Sequence, residues 1–390
     1  MSWPRSGVLL LLLIAGSGCS REHGAAERAA PAAPSNAGTP GAAPVRDVRV
    51  LLHETAFDLV SSPRGALLAW VAAAPSELHL ARFDARGNPA DEGAWQKASS
   101  AVADTARDLL VADTAAGVSA IWREGESGTA SAHGLWLTAG AAQPLDLGQA
   151  WGEPSSGRGN LALVSRGAGA LALVRGPRES CEDGSQDVCF GFRFYALSGA
   201  GAAPTGLGLR VPVPCDARAA QLVAPLPPAG PAQRWQYAVC TRSEQAPVLT
   251  VFSIEPERSY ASARQVFAGC TPLGAAYFAG QPAFVAECQG SRQIARMGSA
   301  DAPFDIQRLD VRGLVCGPHG ARVRLGSAWL GLDQPLDHLE LLLDASLTPP
   351  GARAVWTGSA LLVARAQGKL VVDRYACEGS ELRQLSSPLG

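Results

Sequence analysis

Charge is scarce in this chain of 390 residues. Asp, Glu, Lys and Arg make up 17% of it, against roughly 25% in typical globular domains. Lysine is nearly absent, occurring only as Lys97 and Lys369. With a formal net charge of -2 and no basic stretch, the composition argues against a nucleic-acid protein that works by phosphate neutralisation. Familiar catalytic signatures are missing as well. There is no G-x-S-x-G, so the usual nucleophile elbow is absent. Neither lysine has serine three residues before it, which removes the S-x-x-K hydrolases, and Gly368-Lys369 lacks the earlier glycine of a P-loop. His53-Glu54 opens like a zincin motif but continues Thr55-Ala56-Phe57 without a second histidine. No C-x-x-C occurs, which counts against a zinc site or a thioredoxin-like redox pair. No cofactor and no metal are expected. These absences weaken an enzyme reading without closing it, because a site assembled from distant segments leaves no local motif.

What the chain does have is apolar residues, 47% of the total, enough for a sizeable core. One run is unbroken. Val8–Ile14 follows a segment whose only charged side chain is Arg5, and it is too short to span a bilayer as a mature helix. This is a secretory h-region. It ends in Ala15-Gly16-Ser17-Gly18-Cys19, which resembles the lipobox of bacterial lipoproteins, with Gly16 where that family usually has Leu. The resemblance implies that residues 1–18 are a signal peptide cut by a type II signal peptidase and that Cys19 is acylated. Ser20 stands where an inner-membrane retention signal would have Asp, which implies the outer membrane. Residues 20–46 are rich in Ala, Pro, Gly and Ser with no aromatic residue, so 19–46 reads as a lipid-anchored, disordered tether. As a flexible coil it would reach roughly 30 Å. The folded domain is expected over 47–390.

Within that domain one phrase recurs: Leu-Val, a turn, Gly, then a large residue five positions later. It reads Leu59-Val60, Gly65, Trp70; Leu110-Val111, Gly117, Trp122; Leu163-Val164, Gly169, Val174; and Leu222-Val223, Gly230, Trp235. Gly280 with Val285 and Gly358 with Val363 are weaker echoes, and Gly326 has its large residue at Trp329. The phrase describes a hairpin in which Gly supplies positive φ at little cost. Alternating strands surround it: Leu78 and Leu80 face one way while His79, Ala81 and Phe83 face the other. Seven units of about fifty residues predict an all-β fold, a seven-bladed β-propeller with three to four antiparallel strands per blade. The alternative is a pair of β-sandwiches. The segment Asp47–His53 is expected to close the ring as an outer strand of the last blade. Phe83-Asp84-Ala85-Arg86-Gly87 resembles one blade motif of quinoprotein-type propellers, and it occurs once.

Eight cysteines remain beyond Cys19, an even number that in an exported chain implies four disulfides. The hairpin register places Cys215 and Cys270 before first strands and Cys240 and Cys288 at the ends of second strands. That predicts Cys215–Cys240 and Cys270–Cys288. Cys181–Cys189 would staple one loop, and Cys316–Cys377 is left by elimination.

Propellers bind at loops around one mouth of the channel. The two longest loops after second strands are expected at 123–133 and 175–187. They offer Arg123, Glu124, Glu126, Arg175, Arg178, Glu179, Glu182, Asp183 and Asp187 as recognition residues, with Trp151 as an aromatic at the same mouth. Architecture and export signal together resemble propeller lipoproteins that scaffold envelope machinery. They imply a binding or assembly module held at the membrane by its lipid, with an envelope protein as partner. The rival is an envelope hydrolase or lyase whose carboxylates and histidine converge from several blades. The histidines are scattered, with His79 and His338 expected on strands.

Overall fold

The structure, a computed structural model, describes residues 49–388 apart from 74, 91–95, 100–101, 126–129, 140, 151–159, 181–187, 206–208, 214–220, 227–234, 243–246, 256–259, 279–280, 298–305, 318–319 and 334. The expected signal peptide, Cys19 and the tether lie outside these residues.

Strands β1 (Phe57–Ser62), β2 (Gly65–Ala73), β3 (Ser76–Phe83) and β4 (Gln96–Ser99) form the first sheet. The second contains β5 (Arg107–Asp113), β6 (Val118–Glu124), β7 (Ala130–Thr138) and β8 (Ala141–Ala150). In the third, β9 (Leu161–Arg166), β10 (Gly169–Ser180) and β11 (Val188–Ser198) run in order, and both β12 (Gly201–Pro204) and β13 (Leu209–Val213) pair with β11. The fourth holds β14 (Gln221–Leu226), β15 (Trp235–Arg242), β16 (Pro247–Glu255) and β17 (Tyr260–Ala268). Next comes a six-stranded sheet of β18 (Thr271–Phe278), β19 (Gln281–Cys288), β20 (Ser291–Met297), β21 (Ile306–Gly317), β22 (Gly320–Leu325) and β23 (Ala328–Gly331). The last sheet is β24 (Arg353–Trp356), β25 (Ala360–Ala366), β26 (Leu370–Glu378) and β27 (Glu381–Leu385). Helix is confined, among the described residues, to a 3-10 turn at Leu339–Leu341.

First strands neighbour one another in chain order from β1 through β5, β9 and β14 to β18, and β24 returns to β1 with the 3-10 turn against it. This is an all-β propeller arrangement, so the paired sandwiches do not apply. The described strands form six sheets, where the repeat predicted seven blades. The repeat counts hairpins, and hairpins are not sheets. The units at Gly280 and Gly326 fall in one sheet because β21 has 12 residues, pairing with β20 through its first half and β22 through its second.

The first sheet contributes its two faces to two different cores. On β1, Phe57 and Leu59 pack with Trp70 of β2 and with Val355, Leu362 and Val372 of the last blade, while Val60 turns to Leu109, Val111 and Trp122 of the second. On β3, Leu78 joins the second-blade core and Ala81 and Phe83 the last-blade core, as their alternation predicts. A lone blade would leave both faces wet, so closure of the ring is itself part of the hydrophobic driving force. Trp70 is fully buried and stacks on His79, with ring centroids 5.2 Å apart. Truncating such a tryptophan costs about 3–5 kcal/mol.

The repeated glycine has a different reason from the one the turn suggested. A Cβ on Gly65, Gly117 or Gly169 would lie 2.2, 2.5 or 2.7 Å from the carbonyl oxygens of Phe83, Leu137 and Leu197 at the ends of third strands. Only Gly65 of these three has positive φ, at 140°. The common requirement is close approach of a neighbouring backbone, not a left-handed turn.

Closure at the chain ends also departs from expectation. Arg49–Leu52 does not extend the last blade outward, since β27 already occupies that edge. Instead Leu51 bridges to Ala72, Leu52 N–H donates to Val71 O, and Arg49 O accepts from Leu370 N–H. The segment therefore ties the first blade's second strand to the last blade's third. The turn at Asp84–Asn88 is a second tie: Ala85 O accepts from the hydroxyls of Thr357 and Ser359, both at 2.6 Å, and Asn88 accepts from Arg374. The motif that resembled a quinoprotein blade signature thus serves ring closure.

Two predicted disulfides are present, Cys270–Cys288 and Cys316–Cys377. The first staples β18 to β19. The second fastens the six-stranded sheet to β26. Cys181 and Cys215, and the side chains of Cys189 and Cys240, lie outside what is described.

Candidate functional site

A dense group of ionisable side chains lies where the ring closes. Asp58 is the second residue of β1, 2% exposed. Its carboxylate accepts from the Val111 N–H of β5 at 3.0 Å and from Arg353 Nε of β24 at 3.1 Å, so one side chain links three consecutive first strands. Arg353 also donates to Glu340 Oε1 at 2.9 Å, and Glu340 Oε2 accepts the Ala354 N–H at 2.9 Å. His338 Nδ1 lies 3.3 Å from Glu340 Oε1. Asp337 accepts the Ser61 N–H, bringing the same segment back to β1. From the other side, Arg292 donates to the carbonyl oxygens of Glu340, Leu341 and Leu343, which caps the 3-10 turn.

Burial and pairing compete at each group. For Glu340 burial favours the protonated form, but the His338 hydrogen bond and the Arg353 charge outweigh it and bring the pKa to about 2. Burial also opposes protonation of His338, and contact with Glu340 reverses that, leaving the imidazole above its ordinary value. Asp337 moves the other way: its burial outweighs the help of His338 and Ser61 and raises its pKa. His338, expected on a strand, instead precedes the 3-10 turn with φ of 56°. A non-glycine residue in that region is strained and is held there by its surroundings. Leu339, Leu341, Leu342 and Leu343 supply the hold, packing into the core beside β24 and β25.

A second polar feature follows the repeat. Arg123 and Arg175 each lie six residues after the repeated glycine, and each meets a residue fifteen positions earlier. Arg123 Nε and Nη2 bind Asp108 Oδ2 at 2.9 and 2.7 Å, with both side chains buried. Arg175 Nη1 binds Asn160 Oδ1 at 3.3 Å, also buried. In the first blade the same backbone positions are Val71 and Ala56, joined only by the Val71 N–H to Ala56 O bond. Asp108 has φ of 57°, a second strained residue in a buried ionic contact.

These contacts relocate several expected recognition residues. Arg123 and Glu124 end β6, and Arg175, Arg178 and Glu179 lie within β10, not in loops after it. The strands run longer because an arginine that finds a buried acceptor can continue a strand inward, where its charge alone had suggested a solvated loop. Glu124 is engaged locally, accepting from Trp122 Nε1 at 2.6 Å and Ala103 N–H at 3.1 Å, with His133 Nε2 at 3.5 Å from its other oxygen. Glu126, Trp151, Glu182, Asp183 and Asp187 lie outside the described residues. Sequence reasoning missed Asp58, Asp337, Glu340 and Arg353 altogether, since nothing local marks residues that meet across 295 positions of chain.

No protein-family model and no curated protein matches the chain. Among solved structures it is similar to a protein from Lactobacillus plantarum, at 11% identity and a TM-score of 0.41, over 85% of this chain and 95% of that one. It is also similar to a subtype N10 neuraminidase-like protein of A/little yellow-shouldered bat/Guatemala, at 9% identity and 0.31, over 69% and 88%. A third is one of two prolyl endopeptidases, at 12% identity and 0.30, over 80% of this chain and 47% of that one. Identities and scores this low bear on neither activity nor partner.

Proposed function

We propose that this chain is an exported lipoprotein, acylated on Cys19 at the outer membrane, whose propeller acts as a binding or assembly module in the cell envelope. What supports a module over an enzyme is the engagement of the ring-closure carboxylates. Asp58 and Glu340 are each held by a backbone N–H and by Arg353. A general base must be within reach of a substrate proton and have a pKa near the working pH. Glu340, brought to about 2, fails on the second count. The cluster reads as a latch that fixes the last blade against the first.

The test is crosslinked purification of the acylated protein from its own membranes, beside Cys19→Ala and a Glu182→Gln, Asp183→Asn variant. A stoichiometric envelope partner supports the module. Palmitate label on the parent and none on Cys19→Ala supports the anchor, and label on both sinks it. The second reading, an envelope hydrolase or lyase, rests on His338, whose side chain is 32% exposed beside Asp337. Turnover of a glycan or lactone substrate that is abolished by His338→Gln would install that reading in place of the first.

A further inference from the structure

The large residue of the repeat is buried in the first and second units, as Trp70 and Trp122, yet Trp329 of β23 is 48% exposed. The merged sheet explains the difference. Val323 and Leu325 of β22, with Leu330 of β23, turn into the core shared with the last blade. The opposite face carries Arg322 and Arg324 on β22, Trp329 opposite Arg324, and the exposed Val315 opposite Arg322. Both guanidinium carbons lie 5.7 Å from the Trp329 ring centroid. Arg324 Nε donates to Gly326 O at 3.2 Å, and neither guanidinium pairs with a carboxylate among the described residues. The exposed Asp333, just past the strand, places Oδ1 3.8 Å from where a Cβ on Gly331 would lie, opposite Arg322, without forming an ion pair with either guanidinium. The sheet order ends at β23, and no other described strand pairs with it.

Two cations held at one aromatic ring, neither ion-paired with a carboxylate among the described residues, beside an open strand edge form a surface suited to an acidic neighbour. We propose that the β22–β23 hairpin docks an acidic, extended segment of a partner protein. The segment adds as a further strand beside β23, setting alternate carboxylates against Arg322 and Arg324 and its intervening apolar side chains over Leu330. This deepens the module reading and rests on it.

The probe is a fluorescein-labelled eight-residue peptide of alternating Glu and Val, titrated into the full-length protein in detergent and followed by anisotropy. Its twin of alternating Gln and Val should bind at least tenfold more weakly. Trp329→Ala and the double variant Arg322→Gln, Arg324→Gln should each weaken the acidic peptide tenfold or more, with unchanged circular dichroism and melting because these side chains pack on no core. N-methylation of alternate peptide amides should abolish binding if a strand is added. Equal affinity for both peptides, indifference to either variant, tolerance of N-methylation, or capture by anionic lipid vesicles in place of the peptide would each overturn the proposal. A membrane partner captured equally by the parent and the double variant would overturn this surface while leaving the module reading intact.

Discussion

Replacing Glu340 by Gln tests the latch, because it keeps the shape and removes the charge. The carboxyl falls from its ordinary 4.5 to about 2 in the folded protein. At 1.36 kcal/mol per unit, that depression is worth about 3 kcal/mol of stability. A depressed carboxyl contributes fully above its unfolded pKa and loses its contribution as pH falls through the folded one. His338 adds the opposite slope: its folded pKa is raised, so its contribution is present at low pH and lost as pH rises through that value. The advantage of the parent over Glu340→Gln should therefore be about 3 kcal/mol near neutral pH. It should widen as His338 becomes protonated, then collapse between pH 4.5 and 2. Urea unfolding followed by tryptophan fluorescence, at pH steps from 8 to 2.5, reads the difference curve directly. A gap that stays constant across that range would refute the reasoning, because it would assign the loss to packing and none of it to charge.

Five further outcomes follow from the same geometry. The imidazole of His338 should titrate by NMR with a midpoint above 6.5 and move back toward that value in Glu340→Gln. Arg123→Ala leaves the buried Asp108 without its ionic partner, so it should cost about 3–5 kcal/mol in equilibrium unfolding. Gly117→Ala, whose Cβ would sit 2.5 Å from Leu137 O, should lose about 1–3 kcal/mol. Gly331→Ala, with nothing nearer than Asp333 Oδ1 at 3.8 Å, should stay within about 0.5 kcal/mol. Replacing Cys316 and Cys377 with Ser opens a 61-residue separation and should cost about 4 kcal/mol, against about 3 kcal/mol for the 18-residue separation of Cys270 and Cys288; guanidinium unfolding of the two double variants gives the ranking.

The hairpins, the alternation on β3 and two disulfides were legible because each depends on neighbours within about twenty residues, or on what remains once those are assigned. Sheet boundaries were not. Whether two hairpins share a sheet depends on the length of the strand between them, and the twelve residues of β21 carry no turn signal where one pairing ends and the next begins. The glycine phrase gave the right register for an incomplete reason, since a Cβ clash with a third strand cannot be seen from the turn. Candidate site residues fared worst. Arg123 and Arg175 attracted notice as charges near expected loops, while the groups that meet at the ring closure come from β1, β24, the 3-10 turn and the segment before it.

A period of 52 nevertheless relates Asp108 to Asn160 and Arg123 to Arg175, and this connects the two polar features. The ionic pair within the second blade and the softer amide pair in the third occupy one repeated position, which the first blade fills with Ala56 and Val71 alone. The first blade carries its buried charge two residues further on, at Asp58, and directs it outward to β5 and β24. Interior blades can hold their charges within themselves because a covalent neighbour stands on each side. The blade at the junction has a neighbour that reaches it only after the whole chain has folded. There, the directional contacts of Asp58, Arg353 and Glu340 supply the register that apolar packing alone leaves unspecified.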